Sequence, residues 1–157
     1  MSKAKPIPEG MTGVIPHLTV KGAARAIDFY KRAFGAIELS RHGMPDGSIM
    51  HASLKIGEGT LFLNDELKEM GCLAPPSLGG TPVYLMIYVP DVDATFKRAL
   101  DAGAEVKMPV ADQFWGDRYG MLVDPFGHYW EIATHKEDLS KEEMERRGRE
   151  AMAQMQK

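Results

Sequence analysis

The pattern of apolar and polar residues in the first half of the chain is repeated in the second half. Residues 14–20 (VIPHLTV) align with residues 83–89 (VYLMIYV), and both segments predict strands. Apolar residues near helical spacing follow each strand and predict helices over residues 23–34 and 92–102. Each predicted helix is followed by a glycine, a residue that commonly ends helices in a left-handed conformation: Gly35 and Gly103. The two halves of the chain therefore begin in the same way.

The remainder of each half predicts three further strands. The glycine after each helix is followed by an alanine and a strand, which covers residues 37–41 in the first half. Residues 49–56 then alternate with period two, and a glycine-rich turn leads from them into residues 60–64. In the second half, the turn at residues 124–127 (DPFG) leads into residues 128–132 in the same manner. Each half thus predicts the order strand, helix, strand, strand, strand, which is an α+β unit.

These patterns divide one structural domain into five segments. They are a flexible N-terminal arm (1–13), a first βαβββ module (14–69), an inter-module linker rich in glycine and proline (70–82), a second βαβββ module (83–138) and a C-terminal helix (139–157). Ser140 and Glu143 form a capping-box pattern at the start of that last helix.

Each predicted sheet should bury one face beneath its helix and leave the other face free. The predicted core consists of Leu18, Ile27, Phe34, Leu54, Ile87, Phe96 and Leu122. Strand residues of the opposite parity mix aromatic, thioether and ionisable side chains, which is typical of a ligand pocket. They are His17, Thr19, His51, Ser53, Leu61, Leu63, Tyr84, Met86, Tyr88, Tyr119, Met121, Tyr129 and Glu131.

Composition and charge narrow the classes of function. The chain has 157 residues, of which 44% are hydrophobic and 26% charged, and its net charge of -3 includes no basic block. A nucleic-acid partner is therefore not expected, and neither is a membrane, since no run approaches the roughly 18 apolar residues of a bilayer span. Cys72 is the only cysteine, which makes the cytoplasm the default location. The edge strands of two open sheets predict a homodimer.

Several strings in the sequence resemble a known family. They are IPHLTVKGAA (15–24), FYKRAFGA (29–36), DQFWGDR (112–118) followed by DPFGH (124–128), and ATHKED (133–138). Together with the repeat they resemble the PhnB-like branch of the vicinal-oxygen-chelate superfamily, which comprises glyoxalases, bleomycin-resistance proteins and dioxygenases. The resemblance covers residues 14–135 and implies two curled mixed sheets around a small-molecule cleft.

The resemblance also implies where a metal would bind. In metal-using relatives, the first and last strands of each module supply four ligands, and the repeat alignment transfers these to His17, Leu63, Met86 and Glu131. His17 and Glu131 suit a divalent ion, whereas Leu63 has no donor atom and the Met86 thioether favours soft ions. We therefore expect no metal or other cofactor, with a divalent metal held by His17 and Glu131 as the open alternative.

Some of these residues also have a purely structural interpretation. His17 and Glu131 would satisfy each other if they were hydrogen-bonded, and strand tyrosines often serve packing alone. His128, His135 and Cys72 are interpreted as structural. Trp115 lies in a glycine-bearing loop and is expected either at the rim of the cleft or packed against a partner subunit.

Two functions follow from the resemblance, so enzymatic activity stays open. The first is a binding protein of the bleomycin-resistance kind, which holds an aromatic or chelating metabolite or antibiotic in a metal-free cleft. The alternative is a divalent-metal-dependent lyase, isomerase or dioxygenase, with Glu131 as the candidate catalytic base. The incomplete set of metal ligands favours the first. A methyltransferase is disfavoured, since no glycine-rich dinucleotide-type turn follows a strand.

Overall fold

A computed structural model describes residues 4–155 of the chain. The chain divides into two compact units, Met1–Thr81 and Pro82–Lys157. Each unit contains a four-stranded sheet with a helix on one face. The division falls within the predicted linker, and both units have the predicted order strand, helix, strand, strand, strand.

The first unit is built on a mixed sheet in which only one strand pair is parallel. Its elements are β1 (His17–Val20), α1 (Ala23–Phe34), β2 (Ile37–Gly43), β3 (Ile49–Ile56) and β4 (Gly59–Asp65). The strand order is β1-β4-β3-β2, with β1 parallel to β4 and the other pairs antiparallel. The helix α1 covers one face of β1, β3 and β4.

The start of α1 is fixed by a carboxylate at the end of the neighbouring strand β4, beside the last residue of β1. Asp65 accepts hydrogen bonds from the backbone N–H groups of Gly22 (2.9 Å) and Ala23 (2.8 Å), donors that a helix start leaves without an intrahelical partner. The second oxygen of Asp65 accepts the N–H of Ile49 at 2.8 Å. Gly35 ends the helix with φ 67°, as the sequence predicted. One side chain thus joins α1, β3 and β4.

The second unit repeats this architecture. Its elements are β5 (Tyr84–Tyr88), α3 (Val92–Asp101), β6 (Glu105–Asp112), β7 (Asp117–Val123) and β8 (Tyr129–His135), in the strand order β5-β8-β7-β6. The β5–β8 pair is parallel, and the other two pairs are antiparallel. Asp91 caps α3 by accepting the N–H of Ala94 at 3.0 Å.

The predicted core is confirmed in most positions. Five of the seven predicted residues are buried: Leu18, Ile27, Leu54, Phe96 and Leu122. Phe34 and Ile87 lie on the predicted elements but keep partial exposure. In each unit the core therefore lies between the helix and the face of the sheet that it covers.

The segments outside the modules contain short helices. The predicted linker holds α2 (Pro75–Leu78), which follows a 3-10 turn over Lys68–Met70. The C-terminal helix α4 spans Lys141–Met155, and Ser140 caps it by accepting the N–H of Glu143 at 3.2 Å. Within residues 4–155, no helix is long and apolar enough to cross a bilayer.

Candidate functional site

The second unit presents an aromatic surface on the sheet face opposite α3, which we call the tyrosine face. The strand register places Met86 beside Glu131, Glu131 beside Met121, and Tyr84 beside Tyr129. The alternation along the strands then brings seven of the predicted site residues to this face: Tyr84, Met86, Tyr88, Tyr119, Met121, Tyr129 and Glu131.

Much of the tyrosine face is open to solvent. Tyr84, Met86 and Tyr88 are 51%, 43% and 61% exposed. The rings of Tyr84 and Tyr129 stack with their centroids 5.3 Å apart, and the ammonium group of Lys107 lies 5.9 Å from the centroid of Tyr129. These three large side chains lie on one face of one strand, and packing within the sheet does not account for their exposure. They form an apolar surface with polar tips, which suits an aromatic ligand.

The carboxylate of Glu131 is held in place from the neighbouring strand. The hydroxyl of Tyr119 donates a hydrogen bond of 2.7 Å to Oε1 of Glu131. Burial, the hydrogen bond and the charge of Glu131 all raise the pKa of Tyr119, so this phenol stays protonated as the donor. Tyr119 therefore satisfies one oxygen of the Glu131 carboxylate within the second unit.

Asp117, which sequence reasoning missed, joins three side chains at the start of β7. Its buried carboxylate accepts hydrogen bonds from the Tyr88 hydroxyl (2.8 Å) and the Trp115 indole N–H (3.1 Å) on Oδ2. Its Oδ1 lies 2.7 Å from Nδ1 of His135. Burial alone would raise the pKa of Asp117, but these hydrogen bonds lower it, so the carboxylate stays charged.

Trp115 packs against the sheet of its own unit. Its ring meets Tyr119 edge to face at a centroid distance of 5.6 Å, and the bond to Asp117 fixes its indole N–H. The side chain is half-buried and lies next to the Tyr119–Glu131 pair. A recess of about 120 Å³ adjoins this loop and is lined by Gln113, Asp117 and Lys136, among others. Whether Trp115 lies at the rim of a ligand site or against a partner subunit stays a prediction.

The first unit presents a different set of side chains on the face opposite α1, which we call the histidine face. His17, Thr19, His51 and Ser53 lie there, as the sequence predicted. The imidazole of His51 is 5.6 Å from that of His17 and 6.3 Å from that of His42, measured between ring centroids. Burial and the neighbouring imidazoles of His17 and His42 lower the pKa of His51.

Leu61 and Leu63 do not belong to the histidine face, so this part of the prediction was wrong. The parallel register pairs His17 with Phe62 and pairs Leu18 with Leu63, which places Leu63 in the core beneath α1. Leu61 pairs with Leu54 on the same buried side. Residues 61–63 are all apolar, so their hydrophobicity alone does not show which of them face α1 and which face the other side of the sheet. Phe62, which was not among the predicted site residues, takes the partly exposed position beside His17.

The family of the chain follows from comparison with known sequences. The model of the Glyoxalase/Bleomycin resistance protein/Dioxygenase superfamily matches residues 14–132. The chain belongs to this superfamily. An uncharacterised protein of Mycobacterium tuberculosis is 49% identical over 133 residues, which cover 83% of this chain and 78% of the relative.

Two solved structures share the fold of this chain. TioX from Micromonospora sp. ML1 is 32% identical, with a TM-score of 0.63 over 79% of this chain and 98% of that one. The PhnB protein from Bacillus cereus has a TM-score of 0.59 at 17% identity, over 78% of this chain and 99% of that one, which shows likeness of fold alone. Both matches agree with the βαβββ repeat.

The inherited metal positions of the superfamily do not fit a divalent ion in this chain. With the register corrected, the first sheet offers His17 beside Phe62, and the second offers Met86 beside Glu131. Each sheet therefore supplies one suitable ligand and one side chain that divalent ions disfavour. Across residues 4–155, no three His, Cys, Asp or Glu side chains are grouped so that they could hold a metal ion.

Proposed function

We propose that this member of the superfamily binds a small aromatic or chelating molecule, a metabolite or an antibiotic, without a divalent metal. The observation that carries the proposal is the tyrosine face, where Tyr84, Met86 and Tyr88 stand exposed in a row beside Glu131. Exposed aromatic and thioether groups around a fixed carboxylate supply what a planar ligand needs: apolar contact and one directional acceptor.

Each group on the tyrosine face has a distinct part in this binding. The ring of Tyr84, already stacked on Tyr129, extends a flat surface against which a second planar ring stacks. Met86 adapts its flexible thioether to the edge of that ring. Glu131, oriented by Tyr119, accepts a hydrogen bond from a hydroxyl or N–H group of the ligand. Trp115 closes the rim next to this pair.

The alternative is a divalent-metal-dependent lyase, isomerase or dioxygenase, and one observation favours it. His17 and Glu131, which suit divalent ions, both occupy positions inherited from metal-using relatives, and both lie on open sheet faces. Against it, Phe62 and Met86 hold the other two positions. The binding function therefore has the stronger support.

Binding to the tyrosine face can be tested with a neutral planar probe, indole, and with bleomycin as an antibiotic probe. Methyl NMR of the methionines should show Met86 and Met121 shifting on titration while exposed Met152 on α4 does not. Met86→Ala should weaken binding by roughly fivefold, because ligand contact area is lost. Met152→Ala is the matched control and should leave the affinity unchanged.

Two results would contradict the proposal. One is equal weakening by Met86→Ala and Met152→Ala, since that pattern indicates nonspecific adsorption. The other is elemental analysis and native mass spectrometry of the purified protein that show one metal per subunit together with turnover of a glyoxalase or dioxygenase substrate. That result would favour the enzyme.

A further inference from the structure

We propose that the histidine face is a binding site for an oxyanion, the carboxylate or phenolate of a small aromatic acid. The proposed function above gives the ligand no charge, and it rests on residues of the second unit. This site uses residues of the first unit alone, so the two proposals succeed or fail separately.

The first observation is the hydroxyl of Ser53 on β3. Ser53 is 3% exposed, and its Oγ is buried without a hydrogen-bond partner among the residues that the structure describes. Buried polar groups are almost always hydrogen-bonded, and one that is not needs an explanation. The register places Ser53 beside Phe62 and two residues from His51, so the hydroxyl belongs to the histidine face. A ligand oxygen that accepts from this hydroxyl supplies the missing partner.

The second observation is that several hydrogen-bond donors lie on the same face as this hydroxyl. The imidazoles of His17, His42 and His51 lie side by side, and each has an N–H to donate even when it is neutral. Lys55 lies on the same side of β3 as Ser53 and adds an ammonium group. This group forms an ion pair with exposed Glu58, with 3.4 Å between Nζ and the carboxylate oxygen. Donors of this kind favour an acceptor that bears negative charge.

The third observation is that, in the part of the chain that the structure describes, the strand positions of the histidine face carry no acidic side chain; Glu58, which pairs with Lys55, lies in the turn after β3. The strand positions of this face hold only neutral or basic residues: Ile37, Ser40, His42, His51, Ser53, Lys55, Thr60, Phe62, His17, Thr19 and Asn64. Glu38 and Asp65, the acidic residues within β2 and β4, have the opposite parity and face the helix side. An anion bound on this face is therefore not repelled by a carboxylate of these strands. A cation bound there has no negatively charged ligand on these strands.

Phe62 indicates that the anion carries an aromatic ring. Its ring lies 4.8 Å from that of His51 and 5.9 Å from that of His17, both edge to face. Phe62 remains partly exposed between the two imidazoles. A ligand ring placed against Phe62 brings an attached carboxylate or phenolate to the donors. Inorganic phosphate gains nothing from this ring, so it should bind more weakly than an aromatic acid.

The test compares benzoate with its neutral isostere benzamide and with inorganic phosphate, by NMR of the imidazole signals in the intact chain. Benzoate should shift the signals of His17, His42 and His51 and leave that of buried His128 in the second unit unchanged. Benzamide should bind about tenfold more weakly, because it lacks the charge that strengthens the hydrogen bonds. Equal binding of benzoate and benzamide would overturn the proposal, and so would tighter binding of phosphate than of benzoate.

A pair of serine variants tests the role of the buried hydroxyl. Ser53→Ala should weaken benzoate binding by about tenfold while the melting temperature stays the same or rises, because the variant removes a buried hydroxyl that lacks a partner. Ser48→Ala is the matched control, since its hydroxyl already donates to Asp46 at 2.6 Å in an exposed turn. The proposal fails if Ser53→Ala lowers the melting temperature and leaves the affinity for benzoate unchanged. His51→Gln, which should also weaken benzoate binding, provides a second measure if Ser53→Ala does not fold.

Discussion

Tyr119 on β7 donates a 2.7 Å hydrogen bond to Glu131 on β8, and this bond orients the carboxylate of the tyrosine face. The two residues are diagonal neighbours, because Glu131 pairs with Met121 and Tyr119 pairs with Ala133. The phenol is buried and the carboxylate only partly so. Tyr119 thus binds one oxygen of Glu131, and the other oxygen is the acceptor in the binding proposed above.

Tyr119→Phe should lower the free energy of unfolding by about 1 kcal/mol, because Glu131 loses its donor. Chemical denaturation of the variant measures this loss. Tyr84→Phe is the matched control: its exposed hydroxyl lies on the same face, and its removal should change stability by less than about 0.5 kcal/mol. Equal losses in both variants would mean that the bond to Glu131 contributes nothing specific.

The contact between His135 and Asp117 should make stability depend on pH. Hydrogen bonds to Asp117 and to Asp138 raise the pKa of His135, so the folded protein binds this proton more tightly than the unfolded chain. The resulting stabilisation is fully present below the unfolded pKa, about 6.5, and is lost as the pH rises through the folded pKa. Urea unfolding at a series of pH values from 6 upward measures it.

His135→Gln should flatten that part of the stability profile. In the wild-type chain, Trp115 fluorescence should change over the same pH range, because its indole shares Asp117 with His135. A His128→Gln variant provides the control for the loss of a histidine elsewhere in the unit. An unchanged profile in His135→Gln would show that this histidine does not carry the pH dependence.

The sequence predicted the elements well because local patterns specify them. The predicted first helix, residues 23–34, matches α1, and Gly35 ends it in the expected conformation. The repeat identified equivalent strands in both units, and the alternation along β5 placed Tyr84, Met86 and Tyr88 on one face. The helical spacing and the strand alternation each lie within a few residues of the positions they predict.

The errors and omissions depend on contacts between distant segments. The side of β4 that faces α1 is set by its pairing with β1, and residues 61–63 are apolar throughout, so Leu63 was placed on the wrong face. Asp117 receives its partners from 29 and 18 residues away, in Tyr88 and His135. No spacing rule within one strand predicts that arrangement. The cluster of His17, His42 and His51 likewise depends on the register of three strands.

Asp65→Ala should destabilise the first unit by about 2 kcal/mol, because three backbone donors lose their acceptor at once. The change removes the cap of α1 and its link to β3. Thermal unfolding followed by circular dichroism measures the loss. Asp46→Ala, in an exposed turn where the carboxylate accepts from Ser48, should cost far less. Similar losses in the two variants would refute a special role for Asp65.

We expect the chain to form a homodimer in solution. Each sheet has two edge strands, and apolar side chains on β2 and β6 are exposed, among them Ile37, Leu39, Val106 and Met108. Unpaired edges with apolar residues favour association with another chain. Light scattering at micromolar concentration should give the mass of two chains, and Leu39→Lys tests whether β2 takes part. A monomer mass for the wild-type chain at that concentration would contradict the prediction.

Divalent metals should barely stabilise the protein, because Phe62 and Met86 occupy two of the four positions inherited from metal-using relatives. A ligand raises stability with the logarithm of its concentration over its dissociation constant. If the dissociation constant is no tighter than about 1 mM, zinc, nickel or manganese at that concentration adds less than about 0.5 kcal/mol, or roughly 2 °C in melting temperature. A site a hundredfold tighter adds about 2.7 kcal/mol, or roughly 5 to 10 °C. Thermal unfolding of the wild-type, His17→Ala and Glu131→Gln proteins, each against its own metal-free sample, distinguishes these cases. A large rise in the wild type that disappears in both variants would establish a metal site and favour the metal-dependent enzyme.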